Sequence, residues 1–388
     1  MNRISIFEVI RLFNKNKFSG IDFHERSISI AVIRMERGLP VVQDVGRYEM
    51  KENILNGSHL SKNELLLTAL KDALDTKRLV KKVHLAIPTQ NILVRKITSL
   101  PDIGENELAK ILQFQIGENI HLPFENPIYD FVKIGSLLPS KKGEYLADHP
   151  GWEENNDELS LDELAKGIEQ HIEGPKSELL LFATSKDFSH DLSEVCKSSG
   201  LRPISAEIRG LALQRLLMYV HPNWLNETEM ILDVSENSID IHIFKENWIV
   251  FSRMMSFTQN DYFSAEHQDN LMFDEDLLQV SRSQMEIAAA RDVGMDRYED
   301  AYLNQIVLEI ERAQNFFRYS MNERETEFKR IIVTGDNASQ IFEPLKQRME
   351  TERLVRIDFS SILANNFTDQ RLLDSCSVAI GLAIRGNY

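Results

Sequence analysis

A turn that could bind phosphate lies near the start of the chain, within "FSGIDFHERSISIAVI" at residues 18–33. This stretch predicts a strand, a tight turn and a second strand. In nucleotide-binding folds such turns hold phosphate through backbone N–H groups, which glycine lets approach closely. Here the turn carries His24, whose Cβ and imidazole would crowd a phosphate. A left-handed backbone at His24 would add strain of about 1 kcal/mol or more. The alternative is that the imidazole itself donates a hydrogen bond to phosphate.

A second turn of the same kind occurs in "EMILDVSENSIDIHIF", where Asp233 ends an apolar strand much as Asp22 ends the first. These two aspartates are the candidate pair for metal-assisted chemistry, because the sequence contains no Walker A, GxGxxG or GxSxG motif. Both aspartates are equally suited to a purely structural role, since aspartate is a favoured turn residue.

The elements that position these turns are repeated along the chain. Residues 18–87 predict three strands, a helix and a further strand, and the strand–turn–strand–strand pattern returns at 229–256. We interpret the return as an internal duplication of a folding unit. Between the copies the periodicity predicts strand–helix–strand at 91–134, then strand–helix–strand–helix at 177–220. Residues 258–300 are predicted to be less regular. A helix, a strand–glycine turn–helix unit containing "IIVTGDNASQIFEPL", and a final helix follow.

Composition narrows the classes of function. The 388 residues are 43% hydrophobic and 27% charged, as in ordinary globular proteins, and the net charge of -16 argues against wholesale binding of nucleic acid. The two cysteines lack metal-ligand spacing and predict a reduced, cytosolic protein. No apolar run is long enough to span a bilayer, and the N-terminus does not read as a signal peptide.

Two segments have an uncertain role. The N-terminal residues 1–17 place apolar side chains at three-residue spacing, which fits either a weak membrane-surface helix or a short helix or strand packed on its own domain. Residues 137–175 form an acidic insertion. This insertion is predicted to be solvated and partly disordered. The alternative is that it forms an acidic docking site.

The order of units resembles the actin/Hsp70/sugar-kinase fold, a two-lobed α/β architecture in which two hairpin turns hold phosphates and a later turn covers adenosine. More narrowly, the sequence resembles the PilM family of type IV pilus assembly proteins, relatives of FtsA. The resemblance rests on "GIDFHERSISIAVI", "VHLAIPTQNILVRKITSLP", "ELAKILQFQIGENIHLPFE" and "SGLRPISAEIRGLALQRLL", and covers most of the chain. It implies a two-lobed actin-like fold with an inserted FtsA-type subdomain.

The subdomain boundaries implied by this resemblance are as follows: 18–87, 208–226 and 370–388 form subdomain 1A; 88–207 the inserted subdomain 1C; 227–260 and 327–369 subdomain 2A; and 261–326 subdomain 2B.

The resemblance also implies a nucleotide site, in which Asp22 and Asp233 would lie near the metal. The nucleotide-binding positions, if that role is retained, are Gly20, Asp22, His24, Asp233, Ser235 and Gly335. All three turns depart from the glycine-rich pattern. Glu236 and Asp240 add negative charge where a triphosphate would lie, and the phosphate turns offer no basic residue beyond Arg26. We therefore expect weakened or lost nucleotide binding, no enzyme activity and no required cofactor. The alternative is a switch or ATPase that uses ATP with Mg²⁺.

By the same resemblance, the chain is expected to be a cytoplasmic adaptor at the inner face of the cytoplasmic membrane. It would bind the N-terminal cytoplasmic peptide of a PilN-like inner-membrane protein, together with other platform or motor components, and would meet the membrane only through these partners. The residues expected to form the peptide groove are Ile92, Val94, Arg95, Phe114, Ile120, Pro123 and Phe124. Two alternatives to the adaptor function remain: an FtsA-like filament and a type II secretion domain of the GspL type.

Overall fold

The computed structural model describes residues 16–57, 59–61, 64–76, 78–137, 174–257, 284–321, 323–364 and 369–385, with the backbone alone for 284–299. These residues form two compact units: Met1–Ile92 with Thr184–Tyr388, and Leu93–Ala183. The first unit contains two five-stranded sheets, which we call lobe 1 and lobe 2 together with the helices on them. The N-terminal segment 1–15 and most of the acidic insertion lie outside the described residues.

Lobe 1 is built on a five-stranded sheet in the order β10-β6-β1-β2-β3. Its strands are β1 Lys17–Phe23, β2 Ser27–Glu36, β3 Leu39–Glu49, β6 Lys82–Ile87 and β10 Arg202–Ile208; a small hairpin of β4 Leu55–Asn56 and β5 His59–Leu60 accompanies them. Strands β1, β2 and β3 pair antiparallel, while β6 and β10 are parallel to β1. The predicted β-β-β-α-β order is confirmed.

Helices cover both faces of this sheet. They are α1 Glu64–Asp75, α3 Lys186–Ser198, α4 Arg209–Val220 and α8 Ser377–Ile384. Helices α1 and α3 bury Leu66, Leu70, Phe188 and Leu192 in one core. On β1, Gly20 allows α8 to pack closely, because a Cβ there would come 2.1 Å from the carbonyl oxygen of Ala379.

Lobe 2 repeats the topology of lobe 1. Its sheet has the order β13-β12-β11-β14-β15. The strands are β11 Thr228–Val234, β12 Ser238–Lys245, β13 Trp248–Ser256, β14 Arg330–Thr334 and β15 Leu354–Arg356. The first three strands pair antiparallel and the last two are parallel to β11, as in lobe 1. The internal duplication predicted from the sequence is therefore confirmed.

The remaining helices are α5 Gln284–Asn315, α6 Ala338–Arg348 and α7 Gln370–Ser375; α7 leads into α8 of lobe 1. A π-helical turn, Phe316–Ser320, follows α5. The expectation of less regular structure at 258–300 is wrong for its second part, because α5 begins at Gln284. The sequence "YLNQIVLEIERAQNFFRYSMN" predicts this helix only from Tyr302 onward.

The unit Leu93–Ala183 has a three-stranded sheet in the order β7-β9-β8, with β7 Ile92–Ile97, β8 Pro127–Leu137 and β9 Lys176–Ser185. Helix α2, Glu105–Gln115, buries Leu108 and Leu112 against Ile97, Leu179 and Leu181. This unit is narrower than the subdomain predicted at 88–207, because α3 and β10 belong to lobe 1. Of the helices that the structure describes, none combines the length and apolar character needed to span a bilayer.

Candidate functional site

The first turn connects β1 to β2 and places Asp22 in a buried position. His24 Nε2 lies 3.0 Å from Asp22 Oδ2 and 3.5 Å from Ser29 Oγ. The turn is closed by the backbone N–H of His24, which donates to the carbonyl oxygen of Ser27 (2.9 Å). His24 does not have a left-handed backbone, so the strain expected at this position is absent. The imidazole instead contacts the carboxylate that a nucleotide-bound cation would require.

The second turn connects β11 to β12 and brings two carboxylates together. Asp233 on β11 is directly opposite Asp240 on β12, and both are buried. Ser235 is occupied within its own turn, since its Oγ accepts from the N–H of Ser238 (3.1 Å) and lies 2.7 Å from Ser238 Oγ.

The third turn connects β14 to α6. Gly335 has φ of +103°, and a Cβ there would lie 2.5 Å from Asp233 Oδ1, so only glycine fits this close approach. Asp336 Oδ2 pairs with Nη2 of Arg47 on β3 at 2.6 Å. Tyr302 of α5 donates to the carbonyl oxygen of Ser235 (2.6 Å), which joins this helix to the second turn.

Arg209 joins the carboxylates of the first two turns. It is the first residue of α4, and its Nη2 donates to Asp22 Oδ2 at 2.9 Å and to Asp233 Oδ2 at 2.7 Å. Its Nη1 pairs with Asp240. Gly210 lets the start of α4 approach β12, because a Cβ there would lie 3.1 Å from His242 Nδ1. The guanidinium, at the end of a residue only 6% exposed, therefore binds one carboxylate of lobe 1 and two of lobe 2.

The pKa values of Asp22 and Asp233 shift in opposite directions. Burial alone would raise the pKa of Asp22, but Arg209 and His24 outweigh burial and lower the pKa to about 2. Burial raises the pKa of Asp233, and Arg209 opposes the rise only in part. The two aspartates differ because Asp22 also hydrogen-bonds His24, whereas the negative charges of Asp22 and Asp336 raise the pKa of Asp233 further. Burial would lower the pKa of Arg209, but Asp22 and Asp233 raise it above its usual value, so the guanidinium stays charged.

His242 lies beside the cluster on β12 and is fully buried, with Nδ1 2.8 Å from Ser252 Oγ. Burial, reinforced by the positive charge of Arg209, lowers the pKa of His242 to about 3. The imidazole therefore stays neutral and does not compete with Arg209 for the carboxylates.

Two cavities lie beside the three turns. One of about 690 Å³ is lined by the third turn and by residues of α5, α6 and α7, among them Tyr302, Asn337, Ile341 and Leu372. Another of about 560 Å³ is lined by His24, Arg26, Arg209, Asp240 and others. Arg47, Glu236 and Asp336 line both cavities, while Asp22 and Asp233 line neither. The cleft between the lobes is thus open beside the turns, but the two key carboxylates face Arg209.

Comparison with solved structures identifies this two-lobed arrangement. A chain of the PilM–PilN type IV pilus biogenesis complex matches with a TM-score of 0.65 at 15% identity, covering 95% of this chain and 98% of that chain. The fold is actin-like. Weaker matches are the ethanolamine utilization protein EutJ of Carboxydothermus hydrogenoformans (TM-score 0.47, 8% identity, 97% and 96% covered) and a Bacteroides thetaiotaomicron protein with an actin-like ATPase fold and unknown function (0.39, 12%, 97% and 100%). No family model matches the sequence, and no curated protein is significantly similar to it.

In an actin-like fold the cleft between the lobes is the expected place for a nucleotide with its divalent cation. A divalent cation prefers free carboxylate oxygens. Here one oxygen each of Asp22, Asp233 and Asp240 faces the guanidinium of Arg209. Among the described residues no group of three or more His, Cys, Asp or Glu side chains is arranged to hold a metal ion. While Arg209 occupies this place, the residues present do not fit a divalent cation.

The other predicted nucleotide positions also make contacts within the protein. Gly20 packs on α8, away from the turns, and Ser235 and Gly335 shape the second and third turns. Sequence reasoning missed Arg209, because it lies at a strand–helix junction outside all three turns. A signal existed: three acidic side chains predicted to converge require a buried cation.

The actin-like chain places the predicted groove residues in different environments. Phe114 is 75% exposed on α2, and Pro123 is also exposed. Val94, on β7, and Phe124 are half-buried, and Arg95 donates to the carbonyl oxygen of His121 (3.4 Å). Ile120 is buried in the core of the Leu93–Ala183 unit, and Ile92 packs on the core of lobe 1. These last two side chains contribute to cores, so they are poor candidates for direct partner contact.

Proposed function

We propose that this chain is a non-enzymatic adaptor of a type IV pilus or related secretion assembly machine. It would act in the cytoplasm, at the inner face of the cytoplasmic membrane, where it receives a short peptide from a PilN-like membrane protein. The likeness over 95% of the chain to a protein of the PilM–PilN complex supports the assembly role. The observation that carries the non-enzymatic part is Arg209, whose guanidinium takes the carboxylates that a nucleotide-bound cation would need.

Hydrolysis of a nucleotide requires clamped phosphates, a held cation and a positioned water. His24 and Arg209 both contact Oδ2 of Asp22, while Ser235 is hydrogen-bonded inside its turn. Asp336, in the third turn, is paired with Arg47. Each turn is therefore stabilised by contacts within the protein. The cleft has a structural role in this proposal, and recognition is assigned to another surface.

The surface that we assign to the partner runs from the end of α2 to Phe124. Helix α2 leaves Phe114 outside the core formed by Leu108 and Leu112. A tight turn follows, in which the N–H of Ile120 donates to the carbonyl oxygen of Gln115 (2.8 Å), and the chain then continues through Pro123 and Phe124. An exposed aromatic ring at such a place is typical of an interface anchor.

Strand β7 offers a complementary feature. It is an edge strand of the three-stranded sheet in the described part of this unit, and it carries Val94 and Arg95. An extended peptide can add to such an edge through main-chain hydrogen bonds, while side-chain pockets supply the specificity. Arg95 also anchors His121, so it links the strand to the segment that carries Phe124.

The test is binding of a labelled synthetic peptide that corresponds to the cytoplasmic leader of the PilN-like protein from the same genome. We expect Phe114→Asp to weaken binding at least about tenfold, because it places a charge at an apolar anchor. Tyr319→Asp is the matched control, since Tyr319 is 68% exposed in the π-helical turn of the other unit. Equal binding by wild type and Phe114→Asp would remove the assigned surface, and no binding by wild type would remove the adaptor role.

The cavity of about 690 Å³ favours one alternative, a switch of the same machine that responds to ATP with Mg²⁺. In that case Arg209 would have to release Asp22 and Asp233 when the ligand enters. Calorimetric titration of the wild-type chain with Mg-ATP separates the two proposals.

A further inference from the structure

Arg209 is placed to do more than neutralise charge, because its partners belong to different lobes. Asp22 is on β1 of lobe 1, whereas Asp233 and Asp240 are on β11 and β12 of lobe 2. We propose that Arg209 is a resident cation that clasps the two lobes together, so that closure of the cleft is a property of the chain alone. This inference goes beyond the proposed partner binding, and its test requires no partner.

The geometry of the clasp supports a mechanical role. A guanidinium is planar, always charged and able to donate several hydrogen bonds in fixed directions. In this cluster Nη2 spans from Asp22 at 2.9 Å to Asp233 at 2.7 Å, and Nη1 pairs with Asp240. Any opening of the cleft that moves β1 away from β11 breaks at least one of these contacts. The contacts are buried, so solvent screens them little.

One further arginine–aspartate pair joins the lobes, and another links β15 of lobe 2 to α7. Arg47 of β3 pairs with Asp336 of the third turn at 2.6 Å. Arg356 of β15 pairs with Asp374 of α7, whose carbonyl oxygen also accepts from the N–H of Gly335 (3.2 Å). Of the three arginines, Arg209 is the one that binds carboxylates of both lobes at once.

The clasp replaces what a bound ligand would otherwise supply. Carboxylates from two lobes repel each other when no cation lies between them. A divalent cation could bridge them, but only while it is bound. A guanidinium attached to α4 is permanently present at the same place. The distance between the lobes is therefore expected to be independent of nucleotide and of divalent cations.

The experiment measures the distance between the lobes by double electron–electron resonance. Spin labels are placed at Leu39→Cys on lobe 1 and Glu352→Cys on lobe 2, two exposed positions. The native Cys196 and Cys376 are free and buried, so they do not compete for the label. We expect a single narrow distance in the wild-type background, unchanged by Mg-ATP. We expect Arg209→Ala to broaden the distribution or shift it by several ångströms.

A matched control separates the clasp from general destabilisation. Arg330 pairs with the buried Glu229 inside lobe 2, so Arg330→Ala removes a comparable ion pair without touching the cleft. This variant should keep the narrow distance. If Arg209→Ala does not fold, Asp233→Asn/Asp240→Asn removes both lobe 2 carboxylates while it keeps the guanidinium, and should broaden the distribution in the same way. Broadening in Arg209→Ala and in the double asparagine variant, but not in Arg330→Ala, supports the clasp.

Three results would overturn it: an unchanged distance in Arg209→Ala or in the double asparagine variant, equal broadening in Arg330→Ala, or a wild-type distance that moves on addition of Mg-ATP. The outcome is independent of peptide binding, so failure of the clasp and failure of the adaptor role are distinguishable.

Discussion

Replacing Arg209 with alanine should destabilise the protein in a strongly pH-dependent way. Removal of one partner from a buried ion pair costs about 3–5 kcal/mol, because the remaining charge stays buried and unpaired. Here Asp22, Asp233 and Asp240 would all lose their shared cation. We therefore expect a loss of at least this size in the free energy of unfolding at neutral pH.

The pH dependence follows from Asp22. In the wild type its pKa is lowered from 3.8 to about 2. The lowered pKa stabilises the folded state by an amount on the order of 2 kcal/mol, at about 1.4 kcal/mol for each pKa unit. Because the folded-state pKa is the lower one, this contribution is present above pH 3.8 and is lost as the pH falls toward 2. In Arg209→Ala, His24 alone opposes burial, so the pKa of Asp22 should rise and that of Asp233 should rise further.

The sign then reverses for the variant. A folded state with raised carboxyl pKa values binds more protons than the unfolded state, so its stability increases as the pH falls from neutral. The difference in unfolding free energy between wild type and Arg209→Ala should be largest near neutral pH and should shrink at about pH 5. Urea unfolding followed by circular dichroism at both pH values measures this difference.

The control is Arg209→Ala in the Asp233→Asn/Asp240→Asn background, where two of the three carboxylates are already neutral. The arginine deletion should cost much less there, and the double-mutant cycle gives the coupling directly. A cost that is equal at both pH values, or equal in both backgrounds, would refute the electrostatic reasoning.

Two other predictions follow from close packing and burial. Gly20→Ala should lower the free energy of unfolding by about 1–3 kcal/mol, as expected for overpacking, because the new Cβ meets the backbone of α8; chemical denaturation measures it, and an unchanged stability would contradict the packing role. Cys196 and Cys376 should not react with a thiol reagent at neutral pH in the folded protein and should react after denaturation, because burial raises their pKa values to about 12 and about 11; rapid labelling of the native chain would contradict this.

Much of the fold could be predicted because its signals are local. Alternating apolar residues in "SIDIHIF" predict β12, and the return of the opening pattern predicts the second sheet with its parallel strand. The sequence does not predict the first part of α5, since the segment from Gln284 contains mixed charged and small residues without a clear apolar face.

The site was harder to predict because its central contact is distant in sequence. Arg209 is 187 residues from Asp22 and 24 from Asp233, and helical periodicity does not indicate what the first residue of α4 will contact. The negative charge of Asp240 was recognised, and it was expected to repel phosphate. The structure gives it a different partner, since the guanidinium of Arg209 pairs with it. His24 was expected to crowd a phosphate, and it instead binds the carboxylate of Asp22.

The most direct test is calorimetric titration of the wild-type chain with Mg-ATP, repeated with Asp22→Ala. If Arg209 holds the carboxylates of the cleft, the wild type should give no saturable heat, because one oxygen of each carboxylate already binds the guanidinium where a nucleotide-bound cation would lie. Binding in the micromolar range by the wild type, lost in Asp22→Ala, would contradict the resident-cation interpretation and favour the nucleotide switch.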